Sequence, residues 1–241
     1  MSIDGSPSLP SLAELRAAKR ARRWGKVVRR HPSAFLLAAQ LLSLLVYPLM
    51  DDTQSGRMLF GAVALVVVPL AVWVVNRSRF VSGLAWMLAI PAMVLTVVGV
   101  VFKHDGLLPI SALLEASLYF YAAASLISYM LHDHEVTGDE LFAAGATFTL
   151  LAWGFAFAYF VCQAWYPGSF TGLEPERSRT WMELLFYSFT NLSATGLGDV
   201  LPVSSPARVL TMLEQFAGVG YIATVVSRLI GLTILHHKSR H

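Results

Sequence analysis

Charge is scarce in this chain. Of its 241 residues only 14% are Asp, Glu, Lys or Arg, while 56% are hydrophobic. A soluble domain carries about 25% charged residues, so there is too little polar material here to cover a globular surface in water. Cysteine is nearly absent. Cys162 stands alone inside an apolar run, so no internal disulfide can form. That excludes a disulfide-stapled secreted domain and assigns Cys162 to packing. The sequence holds no phosphate-binding Gly-rich loop, no zinc-type ligand spacing and no nucleophile–base constellation. ATP-driven pumping and covalent catalysis therefore have no support, and the chain reads as a non-enzyme. Tandem repeats and low-complexity tracts are missing as well.

What is present is apolar residues in blocks, placed at 34–50, 58–75, 84–102, 108–131, 141–165 and 206–235. Their lengths approach the ~20 residues that cross a bilayer. The fold class expected is an all-α integral membrane protein with six transmembrane helices. Pro69 and Pro91 lie inside blocks and should kink them. Basic residues set the orientation. Eight of the 18 Lys and Arg fall between Arg16 and Arg30, and Arg77, Arg79, Lys238 and Arg240 share their side when the N-terminus is cytoplasmic. The positive-inside rule then places both termini in the cytoplasm of a cell-membrane protein.

The N-terminal segment 1–33 reads as a basic amphipathic helix opened by the capping box Ser11-Leu12-Ala13-Glu14. Its Arg16, Lys19, Arg20, Arg22, Arg23 and Lys26 suit anionic lipid headgroups, which attract such clusters beside a span. A topology signal alone is the plainer reading. Nucleic-acid binding is not expected of a helix tethered to a membrane. Basic residues before an apolar run also resemble a signal peptide, but no small-residue cleavage pattern follows.

One connector does not fit. The stretch 166–205 is far longer than the others, and long connectors are usually functional or disordered. It contains the capping box Thr180-Trp181-Met182-Glu183 and then a short apolar helix running to Leu192, too short to span. Ser193-Ala194-Thr195-Gly196-Leu197-Gly198-Asp199 follows. Two glycines around one residue do not prolong a helix comfortably, and glycine permits left-handed backbone. Irregular backbone at membrane depth is tolerated only where it is buried or lines a wet cavity. An extended re-entrant stretch with carbonyls turned to water or ions is the expectation, the device of ion-selective filters.

On these residues the region 180–220 resembles the pore of tetrameric potassium channels, in a six-helix subunit without a voltage-sensor arginine helix. The family pattern is a pore helix, Thr-Val-Gly-Tyr-Gly-Asp, and an inner helix with a hinge glycine. The resemblance implies a selectivity filter at Ala194, Thr195, Gly196, Leu197, Gly198 and Asp199. It implies K+ as permeant ion at the carbonyls of Thr195, Gly196, Leu197 and Gly198, with no other cofactor. Phe186 and Tyr187 fall at the family's aromatic cuff and Gly218 at its hinge. Leu197 replaces the tyrosine, and Ala194 lacks the hydroxyl of the filter threonine. One pore segment encloses nothing by itself, so a homotetramer is implied. The implied organisation is a basic helix 1–33, four peripheral helices 34–135, a pore domain 136–235 and a tail 236–241. A non-conducting scaffold with this fold, a non-selective cation channel and a transporter are the competing readings.

Several single residues call for a reading. Block four carries no Lys or Arg, so voltage dependence should be weak or absent. Glu115 is its one charged residue, an intramembrane acid that is functional or simply hydrogen-bonded. Glu183 and Glu214 are candidate filter supports. The first is explained equally by its capping position, and the second either bonds the pore helix from behind or faces the ion path. His132-Asp133-His134-Glu135 could bind a metal or sense pH, although a solvated turn explains it. Ser205-Pro206 and Thr137-Gly138-Asp139-Glu140 read as helix starts.

Overall fold

The computed structural model describes residues 32–46, 82–102, 105–132, 138–172, 174 and 176–238. Within them lie α1 (Pro32–Val46), α2 (Ser82–Phe102), α3 (Leu108–His132), α4 (Gly138–Trp165), α5 (Trp181–Leu192) and α6 (Ser205–Lys238). A 3₁₀ turn, Asp105–Leu107, joins α2 to α3, and two short strands, β1 (Phe170–Thr171) and β2 (Leu201–Pro202), pair antiparallel. The basic segment with Arg16 to Lys26, the block at 58–75 with Pro69, Asp133 to Glu135, Thr137 and Arg240 lie outside the described residues.

Local sequence explains the helix starts. Pro32 opens α1, where its fixed φ is already helical. The Asp139 carboxylate then accepts from both the N–H and the hydroxyl of Ser33, at 3.2 and 3.0 Å, and so caps α1 from the first turn of α4. Asp139 and Glu140 also place negative charge at the positive end of the α4 dipole. Pro91 is accommodated within a continuous α2. At α6 the structure corrects the expected cap. Ser204, not Ser205, is the N-cap: its Oγ accepts from Ala207 N at 3.3 Å, which moves Pro206 to the second helical position.

α4 is the central helix. It packs against α1, α3, α5 and α6, while α2 packs on α3. Both α3 and α4, which pack together, bury small residues, Ala112, Ala116 and Ala123 on α3 and Ala146, Ala152 and Ala156 on α4, and small residues let membrane helices bring backbones close. Aromatic rings fill the wider gaps. Tyr119 of α3 meets Trp153 edge-on at 5.7 Å and stacks on Phe157 at 5.6 Å, and both of those α4 rings touch Trp181, the first residue of α5. Among the described residues, Leu108–Leu131 and Asp139–Trp165 are long and apolar enough to cross a membrane. α6 has 34 residues, roughly 50 Å, but carries Arg208, Glu214 and Arg228 along its length.

Candidate functional site

The expected capping box is formed at α5. Thr180 Oγ1 accepts from Glu183 N at 3.3 Å and Glu183 Oε2 accepts from Thr180 N at 2.6 Å. The helix has 12 residues, about 18 Å, well short of a bilayer. Its far end closes as a Schellman motif. Ser193 is the C-cap, Ala194 N donates to Asn191 O at 3.0 Å and Thr195 N to Thr190 O at 3.0 Å. The residue after the cap must be left-handed, and Ala194 has φ 58°. It is the one non-glycine with positive φ among the described residues.

From that point the chain turns back along its own helix. Gly196 N also donates to Thr190 O at 3.0 Å, and the Thr195 hydroxyl reaches the same carbonyl at 3.1 Å. Further on, the open side of Gly198 faces Thr190 and Phe186, and the Asp199 carbonyl lies beside Gly172 near the start of α5. So residues 194–199 run antiparallel to α5 from its C-terminal end toward its N-terminal end. All six are exposed. Gly196 has φ 65°, as expected of a glycine there, but Gly198 does not have positive φ. The left-handed positions are therefore 194 and 196, not the two glycines.

Behind α5 lies a buried polar cluster. Glu214 of α6 is fully buried, and its two carboxylate oxygens accept from the Tyr159 hydroxyl of α4 and the Ser188 hydroxyl of α5. Ser188 Oγ is also 2.8 Å from Ala152 O. Of the two readings open for Glu214, the structure places it behind the short helix. Tyr187 is buried too, with its hydroxyl 2.8 Å from Thr211 Oγ1 and its ring against Tyr159 and Phe170, whereas its neighbour Phe186 is half exposed. Gln215 Nε2 donates to Asn191 Oδ1 at 2.9 Å. Gly218 lies in unbroken helix, where a Cβ would overlap the Leu192 carbonyl. Its missing side chain is what lets α6 cross the end of α5.

A short arch closes the site. β1 and β2 pair Phe170 with Pro202 and Thr171 with Leu201, which joins the chain before α5 to the chain after residue 199. Glu183 lies here, at the start of α5, 2.9 Å from Arg177 and 3.6 Å from Arg179. Partial burial pushes its carboxyl up, but the bonds to Thr180 and the two guanidiniums outweigh that and hold it below the ordinary value. Glu115 is buried on α3, where it accepts from Thr96 Oγ1 of α2 at 2.8 Å. Sequence reasoning missed Tyr159, Ser188, Gln163 and Arg179. Tyr159, Ser188 and Gln163 acquire their roles only through contacts between elements, whereas Arg179 stands four residues before Glu183, a spacing that could have pointed to the pair.

Residues 145–234 match a family model described as an ion channel, which covers most of α4, all of α5 and the return segment, and most of α6. No curated protein and no solved structure matches the chain. The two long helices, the short helix between them and the segment folded back beside it are the parts that this match covers, and over residues 145–234 the chain is similar to an ion-channel family.

Proposed function

We propose that four copies of this chain surround one path and conduct K+ passively, with residues 194–199 as the filter. The observation that carries the reading is the segment 194–199 lying beside α5 with left-handed φ at Ala194 and Gly196 and not at Thr195. Alternating handedness turns successive carbonyls to one side, whereas a strand alternates them. Rings of such carbonyls replace an ion's hydration shell. A single chain supplies only one wall. The apolar residues left uncovered on α6, Val209, Met212, Phe216, Val219 and Ile222, supply a face for neighbouring copies.

On this reading α5 is re-entrant, six helices span, and both termini are cytoplasmic. The basic segment with Arg16, Lys19, Arg20, Arg22, Arg23 and Lys26 rests on anionic lipid. The absence of Lys and Arg from α3 favours conduction that hardly responds to voltage. Glu214 holds α5 from behind, Tyr187 packs it from within the chain, and Gly218 serves as both contact and hinge.

The test is ion flux through purified protein in liposomes, with subunit number read by native mass spectrometry. Rapid, barium-blockable K+ flux well above Na+ flux from a tetramer supports the proposal. Equal K+ and Na+ flux would make this a non-selective cation channel, the reading that the missing hydroxyl at Ala194 favours. Saturable coupled uptake would mean a transporter, and no flux a scaffold.

A further inference from the structure

Arg179 is a cation hidden where nothing in the sequence calls for one. Its side chain is 1% exposed. One guanidinium nitrogen, Nη2, donates to the carbonyls of Glu174 and Arg177. The other, Nη1, lies 3.6 Å from Glu183 Oε1. Gln163 of α4 brackets the backbone of the same residue, accepting from Arg179 N at 3.0 Å and donating to Arg179 O at 2.8 Å.

Nη1 also fills the space that a Cβ on Gly172 would occupy, and the Asp199 carbonyl oxygen is 3.5 Å from that same point. Gly172 does not have positive φ, so it is glycine to make room for the guanidinium. Two stretches therefore meet on this side chain, the exit of β1 and the first turn of α5, and the outer end of the return segment meets the same Gly172. Such an arrangement is not the cheapest way to fill a gap. Burying a charge is costly, the Nε–H has no partner among the described residues, and apolar residues of similar volume often pack as well.

We infer that Arg179 is a positioning residue that fixes the outer end of the ion path by wedging Gly172, Glu183 and Asp199 into one arrangement. This rests on the reading of residues 194–199 as a filter, whose carbonyl spacing sets which ion is held. The planar guanidinium is what suits the place. It serves two carbonyls with one nitrogen and faces the carboxylate with the other, whereas a lysine ammonium is a single compact point.

The experiment compares the intact wild-type chain with Arg179→Lys, Arg179→Met and Gly172→Ala in lipid nanodiscs and planar bilayers. Amide exchange over residues 200–203, where Leu201 pairs with Thr171 and Val203 N donates to Ser169 O, and the K+/Na+ permeability ratio are both read. Arg179→Lys keeps the charge and loses the fork. Gly172→Ala keeps Arg179 and crowds it. Both should speed exchange over 200–203 about tenfold while α4 is unchanged, as for a local opening. Both should also move the permeability ratio several-fold toward equality. Wild-type exchange rates in Arg179→Lys and Gly172→Ala would overturn the inference, whether or not the wild type conducts. So would a change confined to Arg179→Met, which would mean that the charge alone matters. A wild type that shows the exchange differences but passes no ion would instead sink the filter reading and leave the wedge standing. Should Arg179→Met fail to fold, the Gly172→Ala comparison decides.

Discussion

Ala194 is the residue whose environment departs most from expectation. Alignment to the family pattern places it where a filter threonine would be, and there the missing hydroxyl looks like a loss. In the fold it is the left-handed residue that ends α5. A β-branched side chain is a genuine outlier at positive φ, and alanine is tolerated at a cost that glycine avoids. Ala194→Gly should therefore stabilise the protein by about 1 kcal/mol, seen as a raised melting midpoint in detergent. Ala194→Thr should destabilise it. An unchanged midpoint in Ala194→Gly would mean that φ relaxes once the neighbouring subunits are in place. Cys162 fits its expected role, buried and packed near Ser169.

Among elements, the start of α5 and the foot of α6 carry the charges that matter. The Glu183 carboxyl titrates below its ordinary value in the folded chain. Its interactions therefore add stability above the unfolded carboxyl's pKa, and that contribution is lost as pH falls through the lower folded value. Acid unfolding of the arch should begin below the ordinary carboxylate range, and Glu183→Gln should flatten that limb of a stability–pH curve. At the other end, Arg228 of α6 lies 3.3 Å from the fully buried Glu140 of α4. Removing one member of a buried pair is far more harmful than replacing both. A double-mutant cycle with Arg228→Met and Glu140→Leu should show coupling of more than ~1 kcal/mol. Additive losses would show that the pair contributes nothing jointly.

The elements also show what a sequence can disclose. The bounds of α3, α4 and α5 and the capping box at Thr180 are local facts, written in apolar block length and in cap residues, and all are met in the fold. The β1–β2 ladder was not legible, because two residues per strand leave no period to detect. Nor was the cap at Ser204, since two adjacent serines offer the same hydroxyl and only geometry selects between them. The candidate site divides the same way. Gly196 is read from its neighbours, but Glu214 needed the folded chain to show which side of α6 faces α5. Arg179 stands four residues before its partner Glu183, but nothing local marks it as buried.

At the scale of the whole molecule, one face of α6 is unfinished. Phe216 is 81% exposed, and Val209, Met212 and Val219 extend the same uncovered side. If four copies meet there, a charge at Phe216 must be buried without a partner. Phe216→Glu is expected to shift the assembly to single chains in native mass spectrometry, with helix content kept in circular dichroism. A tetramer that survives this change would place the subunit interface elsewhere. The opposite side of α6, with Thr211, Glu214 and Gly218, is already occupied by its own chain, so from Ala207 to Val225 the buried residues form one stripe.

The small β1–β2 ladder has a consequence for how such a chain can be altered. Its backbone bonds tie residues 170–171 to 201–202 without help from particular side chains. Everything between them is thus a loop with sutured ends, like a bead on a closed ring. Glu174 lies inside that loop with α5 and the return segment, and its carbonyl is held by Arg179, so length added beside it would loosen that hold without shifting α4 against α6. An epitope or fluorophore-binding tag inserted there should leave α4 and α6 in register and would give a handle on the working protein.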